Sequence, residues 1–343
     1  MNIAYLLDTD RWDPATIYTR DLACAMKRQG HEVVVCIPRN DSMERFFKDA
    51  KLDTRKIILR TLASLSPAFL SSLIKDKRLS IIHANNILTA SIAIRGAQLS
   101  GRKDVMTILT YQESNAGSPI VMDILNSLDA ITLPSGEIPP SLKEIQARML
   151  PLRYCVPKAN RSSREPSPTK IITVNGPITP DKEIEKLMEA ASRLDGVDYR
   201  IRIIGEGKAG YVMPSKQAAK RFGIENRIDW LGNRPDARDL IRDSDVGVEL
   251  SGLRGLYSVA EFTAAGVPAI VCGESGIKYD ITDGENGFIV SRDNLVEELA
   301  EALRTALTDP EFRIRFESRQ QDGEAGTFDN YAVRLASIYS SLL

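Results

Sequence analysis

Short apolar runs alternate with amphipathic stretches along almost the whole chain. The runs at 3–7, 32–37, 56–59, 80–83, 105–110, 130–133 and 153–156 have the length of buried strands. Between most of them the apolar residues recur at helical spacing. In 16–29, for example, Ile17, Leu22, Ala23 and Met26 share one face, and Gly30 follows as a C-cap. At 157–170 the pattern stops. PKANRSSREPSPTK holds three prolines, three serines and four basic residues with no apolar period, which reads as a linker. The alternation then restarts, with strands at 171–174, 199–204, 227–231, 246–250, 269–272 and 287–290. Helices are expected at 181–193, 214–222, 237–243, 258–265 and 294–306, and a last one near 330–342.

Strands alternating with helices imply βαβ crossovers and a parallel sheet. The expected fold class is therefore α/β, with two Rossmann-like domains and a cleft between them. The boundaries are 1–157, a linker at 158–169, and 170–325, with the segment 326–343 packing back on the first domain. The length of 343 residues suits two cores better than one.

Composition narrows the partners. There are 45 basic and 46 acidic side chains, a net charge of −1, so nothing draws the chain generally toward nucleic acid. The four cysteines are dispersed, form no C-x-x-C pair and read as buried thiols of a reducing compartment. Met1-Asn2-Ile3-Ala4-Tyr5-Leu6-Leu7 reads as a strand rather than as the apolar core of a secretory signal. No apolar run reaches the roughly 18 residues of a membrane span. A cytoplasmic protein is expected. The stretch 62–74, followed by Lys75-Asp76-Lys77-Arg78, has two readings, a crossover helix and a peripheral contact at the inner membrane face.

In open parallel sheets ligands sit beyond the carboxyl ends of the strands, so motifs at those ends carry most weight. Val174-Asn175-Gly176-Pro177-Ile178-Thr179-Pro180-Asp181-Lys182 joins a strand to a helix that would open with Thr179 as N-cap and Pro180 at N1. Free N–H groups and Lys182 there could take a phosphate, and a capped turn with a solvated lysine is the alternative. Ser251-Gly252-Leu253-Arg254-Gly255-Leu256-Tyr257-Ser258-Val259-Ala260-Glu261 follows another strand. Its glycines allow close approach to a ligand, and Glu261 could accept hydrogen bonds from both hydroxyls of a ribose. Gly205-Glu206-Gly207 reads as a tight turn. Beyond 227–232, the backbone at Asn233 stands where a base edge could be read.

The order of six segments then becomes specific. V-N-G-P-I-T-P-D-K, R-I-I-G-E-G, F-G-I-E-N-R-I-D-W-L-G, D-S-D-V-G-V, A-E-F-T-A-A-G-V-P-A-I-V and D-G-E-N-G-F-I-V follow one another from residue 171 to about 290. This stretch resembles the donor half of the GT-B glycosyltransferases of family four. The first half resembles them more weakly, through K-R-Q-G-H-E-V-V-V, L-S-I-I-H-A-N-N and I-L-T-Y-Q-E. The resemblance implies sugar transfer from a nucleotide-diphosphate sugar, metal-independent and retaining, with no cofactor. The acceptor would be an unnamed glycan, lipid or small molecule. It implies that Gly176 and Lys182 meet the diphosphate, that Glu261 grips the ribose, and that Gly255, Leu256 and Tyr257 belong to a backbone segment around phosphates and sugar.

Four positions depart from the family. Pro177 stands where an arginine is expected, Leu253 (or Arg254, if one residue is deleted) where the first of two glutamates is expected, and Gln112 where a histidine is expected. Asp8-Thr9-Asp10-Arg11-Trp12-Asp13 replaces a glycine-rich turn. Arg254 could supply the missing guanidinium. His83, at a strand end, has two readings, a catalytic base and a hydrogen-bonded strand-end histidine. Asp8-Thr9-Asp10 spells D-x-D, but it reads as turn chemistry and no metal is expected. The expected catalytic set is His83, Gln112 and Arg254. A second function class stays open: a silent relative that binds a nucleotide-sugar or a partner protein.

Overall fold

The computed structural model describes residues 1–9, 14–57, 66–112, 118–156, 167–234, 236–273, 279–321 and 328–343. Two compact units appear, Met1–Cys155 with Thr327–Leu343, and Val156–Gly326. The first unit holds strands β1 (Asn2–Leu6), β2 (Glu32–Pro38), β3 (Asp53–Ile57), β4 (Ile81–Ala84), β5 (Met106–Thr110), β6 (Ala130–Leu133) and β7 (Arg148–Pro151). Helices α1 (Pro14–Arg28), α2 (Asp41–Asp49), α3 (Ser66–Asp76), α4 (Ile87–Ser100) and α5 (Pro119–Asn126) connect them. The strands form one parallel sheet in the order β3-β2-β1-β4-β5-β6-β7.

The second unit carries β8 (Lys170–Asn175), α6 (Ile184–Ser192), β9 (Tyr199–Ile204), α7 (Ala209–Arg221), β10 (Ile228–Gly232) and α8 (Ala237–Arg242). It continues with β11 (Val246–Glu249), α9 (Leu256–Ala264), β12 (Ala269–Cys272), β13 (Gly287–Val290), α10 (Leu295–Thr308) and α11 (Pro310–Gln321). Its sheet runs β10-β9-β8-β11-β12-β13, again parallel. Each sheet is covered by apolar helix faces. Leu70, Leu73, Ile74 and Ile92 pack on Ala4, Leu6 and Ile82 in the first unit. Leu187, Met188, Leu299 and Leu303 pack on Ile172, Ile201 and Val248 in the second. In both sheets the direction of winding reverses once, between β1 and β4 and between β8 and β11. Such switch points open a crevice at the strand ends.

The final helix, α12 (Phe328–Leu342), belongs to the first unit although it follows the whole second unit in sequence. The Arg28 guanidinium donates twice to Asp329, at 2.9 and 2.7 Å, and Tyr18 meets the rings of Phe328 and Tyr331.

Several expected boundaries move. The last strand of the first unit is β7, not 153–156. It is an edge strand and it ends at Pro151, where a residue without an N–H is tolerated. The third strand begins at Asp53, earlier than 56, and residues 58–59 lie outside the described ones. Helix α7 starts at Ala209 rather than at 214 and contains Pro214. The carbonyl left without its helical donor by Pro214's missing N–H belongs to Gly210, in the first turn of the helix. Nothing in the apolar period announces α11. Residues 157–166 of the expected linker are outside the described ones. In α3, Leu70, Leu73 and Ile74 are buried, so this face is a crossover helix's face, whereas Phe69 is 40% exposed.

One glycine fixes how two strand ends meet. Gly205 has φ +131°, and a Cβ there would stand 2.0 Å from the Gly176 carbonyl oxygen. Gly176 N–H donates to Ile204, and Gly205 N–H donates to Gly232. Gly205→Ala is expected to cost upwards of about 2 kcal/mol, because both the backbone conformation and the space exclude a side chain. Denaturant unfolding against the parent checks this.

Candidate functional site

The site is built where β8 and β11 part. Asn175 ends β8, and its side chain is buried. Its Nδ2 donates to Glu261 Oε2 at 2.7 Å, and its carbonyl accepts from Lys182 Nζ at 2.6 Å and from Ser258 Oγ at 3.3 Å. Lys182 and Glu261, far apart in sequence, therefore both bond to Asn175.

Each charged group in this cluster has an internal partner. Lys182, 5% exposed, is ion-paired with Glu249, which is fully buried at the end of β11. Glu249 Oε1 also accepts the Ser251 N–H at 3.0 Å and the Ser251 hydroxyl. Glu261, 2% exposed, accepts from Arg238 Nε at 3.1 Å, and Arg238 donates onward to the Tyr257 hydroxyl at 2.8 Å. Burial of single charges costs several kcal/mol, and this pairing is what offsets it. The turn Gly252–Gly255 closes over Glu249. A Cβ on Gly255 would come within 2.2 Å of the Glu249 carboxyl carbon, so glycine is required there for packing.

The local folding differs from expectation at Lys182. The chain makes one 3-10 turn, Pro180–Lys182, and Glu183 then adopts the left-handed region at φ 48°. Only after it does α6 begin, at Ile184. Thr179 occupies the cap position with extended backbone, but its side chain makes no capping bond. Lys182 thus sits before a helix instead of inside the first turn of one, and the ammonium is directed by the turn, not by a helix dipole.

The other expected donor-side residues divide. Gly176, with φ 104°, adjoins Asn175. Leu256 is buried and opens α9, and Tyr257 enters through its hydroxyl. Arg254 is half-exposed, and its guanidinium lies 3.9 Å from Asp181. Among the described residues, no hydrogen bond ties Asn233 to this cluster. Sequence reasoning assigned no role to Asn175, Arg238, Glu249 or Ser251. The available signal was Glu249, an acid closing the otherwise apolar strand Val246-Gly247-Val248.

His83 and Gln112 belong to the first unit. His83 is buried. Its Nδ1 meets the Tyr339 hydroxyl of α12 at 2.5 Å and its Nε2 meets Thr110 Oγ1 at 2.7 Å. Both ring nitrogens are occupied, and burial pushes the ring's pKa down to about 3. The catalytic role expected of His83 needs a nitrogen open to a substrate proton, and here there is none. The hydrogen-bonded reading is the one that matches this geometry. Gln112 Nε2 donates to the Tyr154 hydroxyl. Both line a cavity of about 20 Å³ with Tyr5, Tyr18 and Asn85, which is room for roughly one water. Asp10 of the D-x-D sequence lies outside the described residues. Among the described residues, no group of three or more His, Cys, Asp or Glu is placed to hold a metal ion. No helix among them is long and apolar enough to cross a membrane.

Residues 156–322 match the family model described as "Glycosyl transferases group 1", and residues 15–140 match "Glycosyltransferase Family 4". The structure of Anabaena HepE superposes with a TM-score of 0.83, covering 99% of this chain and all of that one, at 16% identity. The chain belongs to the GT-B glycosyltransferases. A glycosyltransferase from Rickettsia africae shares the fold at TM-score 0.75, with 14% identity over 99% of this chain and 98% of that one. Rhizobium meliloti LpsE, a lipopolysaccharide core biosynthesis glycosyltransferase, is 27% identical over 49% of this chain and 48% of its own length. Over the curated relatives it matches, the chain spans about half their length or less, 48% and 29%.

The His83 environment yields a pH prediction. The neutral ring is favoured in the fold, so between the ordinary 6.5 and about 3 the unfolded chain binds the extra proton. Stability is full above this window and falls as pH drops through it, by up to roughly 1.4 kcal/mol per unit. His83→Gln is expected to lack this share of the acid sensitivity, read as the difference between the two stability–pH curves.

Proposed function

We propose that the protein transfers a sugar from a nucleotide-diphosphate sugar to a glycan, lipid or small-molecule acceptor, with retention and without metal or cofactor. The observation that carries this is the convergence of Lys182 and Glu261 on Asn175 at the switch point of the second sheet. A ribose needs a carboxylate with lone pairs to spare, held still. Asn175 and Arg238 hold Glu261 in that way, each with one hydrogen bond to a different oxygen. A diphosphate needs cations nearby, and Lys182 with the half-exposed Arg254 are the candidates. Fixed positive groups stabilise the departing diphosphate, usually the largest catalytic effect in such reactions. The crystal structures of Anabaena HepE hold UDP with glucose and UDP-glucose, which makes UDP the first ligand to test. Gln112 is assigned to the acceptor side.

One observation favours a second reading, a relative that binds the nucleotide-sugar without transferring it: Lys182 is already neutralised by Glu249. The experiment separates the two. Calorimetry and thermal shift with UDP, GDP, ADP, dTDP and their sugars should show one nucleotide stabilising the protein by about 2.7 kcal/mol at a hundredfold excess over Kd. Binding followed by donor hydrolysis or transfer supports the enzyme, and binding alone supports the silent relative. Stabilisation by none of them refutes both.

Two variants refine this. Glu261→Ala should weaken nucleoside diphosphate binding roughly ten- to a hundredfold, the value of hydrogen bonds to a charged group. Arg254→Ala should weaken it about tenfold while leaving binding of the bare nucleoside unchanged, since only the phosphates would meet the guanidinium. Titration calorimetry measures both.

A further inference from the structure

Glu249 has no part in the donor contacts proposed above, yet it is the most deeply buried charge beside them. It is fully buried, and the structure spends several features on it. Lys182 takes one oxygen, and the N–H and hydroxyl of Ser251 take the other. Gly255 is kept free of a Cβ that would meet the carboxyl carbon at 2.2 Å. A strand that otherwise reads Val246-Gly247-Val248 has no packing reason to end in an acid.

The charge balance shows what this achieves. Lys182 with Glu249 sums to zero, and so does Arg238 with Glu261. The ammonium that would meet a diphosphate is thus held at neutrality before any ligand arrives. Lys182 Nζ has three protons, and its recorded acceptors are two, the Asn175 carbonyl and Glu249. We propose that Glu249 is an internal counter-anion that positions Lys182 and competes with the donor's diphosphate for it, setting donor affinity low by design of the fold. Glu249 is a positioning residue, since it acts through Lys182 and touches no substrate. The inference rests on the reading of Lys182 as a diphosphate ligand.

The contrast with a purely structural pair is sharp. A structural carboxylate that only aims the lysine would weaken binding when removed. A competing one would strengthen it. Glu249→Gln keeps the shape and an acceptor oxygen but removes the charge. UDP, GDP, ADP and dTDP are titrated into the parent and into Glu249→Gln. The expected result is a Kd lower by roughly tenfold or more in the variant for the nucleotide that binds. Its affinity should also fall more steeply with salt than the parent's, because one more positive charge is engaged.

The double variant Lys182→Met with Glu249→Leu replaces the pair by apolar residues of similar size, an exchange that folded proteins tolerate well. It should fold and show no gain over the parent, which ties the gain to the lysine. If Glu249→Gln does not fold, Glu249→Asp serves instead. Its carboxylate is drawn back by one methylene, and a smaller gain is expected. Unchanged or weaker binding in the charge-removed variant overturns the inference while leaving the nucleotide-sugar reading intact. A gain that persists in the double variant overturns it too. Binding of no nucleotide by either protein refutes the reading itself, and the inference with it.

Discussion

The second unit is organised around two carboxylates that are almost wholly removed from water and must each be met by a cation. Glu249 and Glu261 stand on β11 and α9, and Lys182 reaches its partner from the 3-10 turn after β8 while Arg238 reaches its own from the start of α8. Because a buried charge without a partner is so costly, these pairs constrain four chain segments at once. Asn175 then joins the pairs, its carbonyl on the lysine side and its amide on the glutamate side. The geometry that could meet a ribose and a diphosphate is thus also the geometry that keeps the charges tolerable.

Glycines complete this arrangement by absence of side chains. Gly205 lets the loop after β9 touch the loop after β8, and Gly255 lets a turn settle directly on Glu249. In the sequence Gly205 reads as part of a tight turn, and Gly255 as a glycine that lets a ligand approach. In the structure each is filled by the protein's own atoms, a carbonyl in one case and a carboxylate in the other. A glycine-rich strand end therefore reports close approach, but not what approaches.

The alternation of apolar runs and helical periods revealed the α/β architecture because strand length and helical period are local properties, carried by neighbouring residues. Motif order placed Lys182 and Glu261 in one domain for the same reason. What stayed hidden depends on distant partners. The neighbour of His83 is 256 positions away in α12, and no spacing along the chain announces it. Glu249 and Lys182 are 67 positions apart, so the lysine's counter-ion could only be found in three dimensions. The 3-10 turn at Pro180–Lys182 was missed because Pro180 looks like a helix start, while Glu183 in the left-handed region interrupts the helix immediately afterwards. Strand β7 precedes the expected run at 153–156 and ends in a proline, which its edge position tolerates.

The first unit is discontinuous in sequence: α12 arrives only after every residue of the second unit has been made. Its Tyr339 seals the buried ring of His83, and its Asp329 clamps Arg28. A chain emerging from the ribosome therefore presents an unfinished amino-terminal sheet, with a polar ring nitrogen and an apolar helix face uncovered, while the later unit is already free to fold. Completion of the earlier part waits on the later one, so the two halves are coupled in time as well as in sequence.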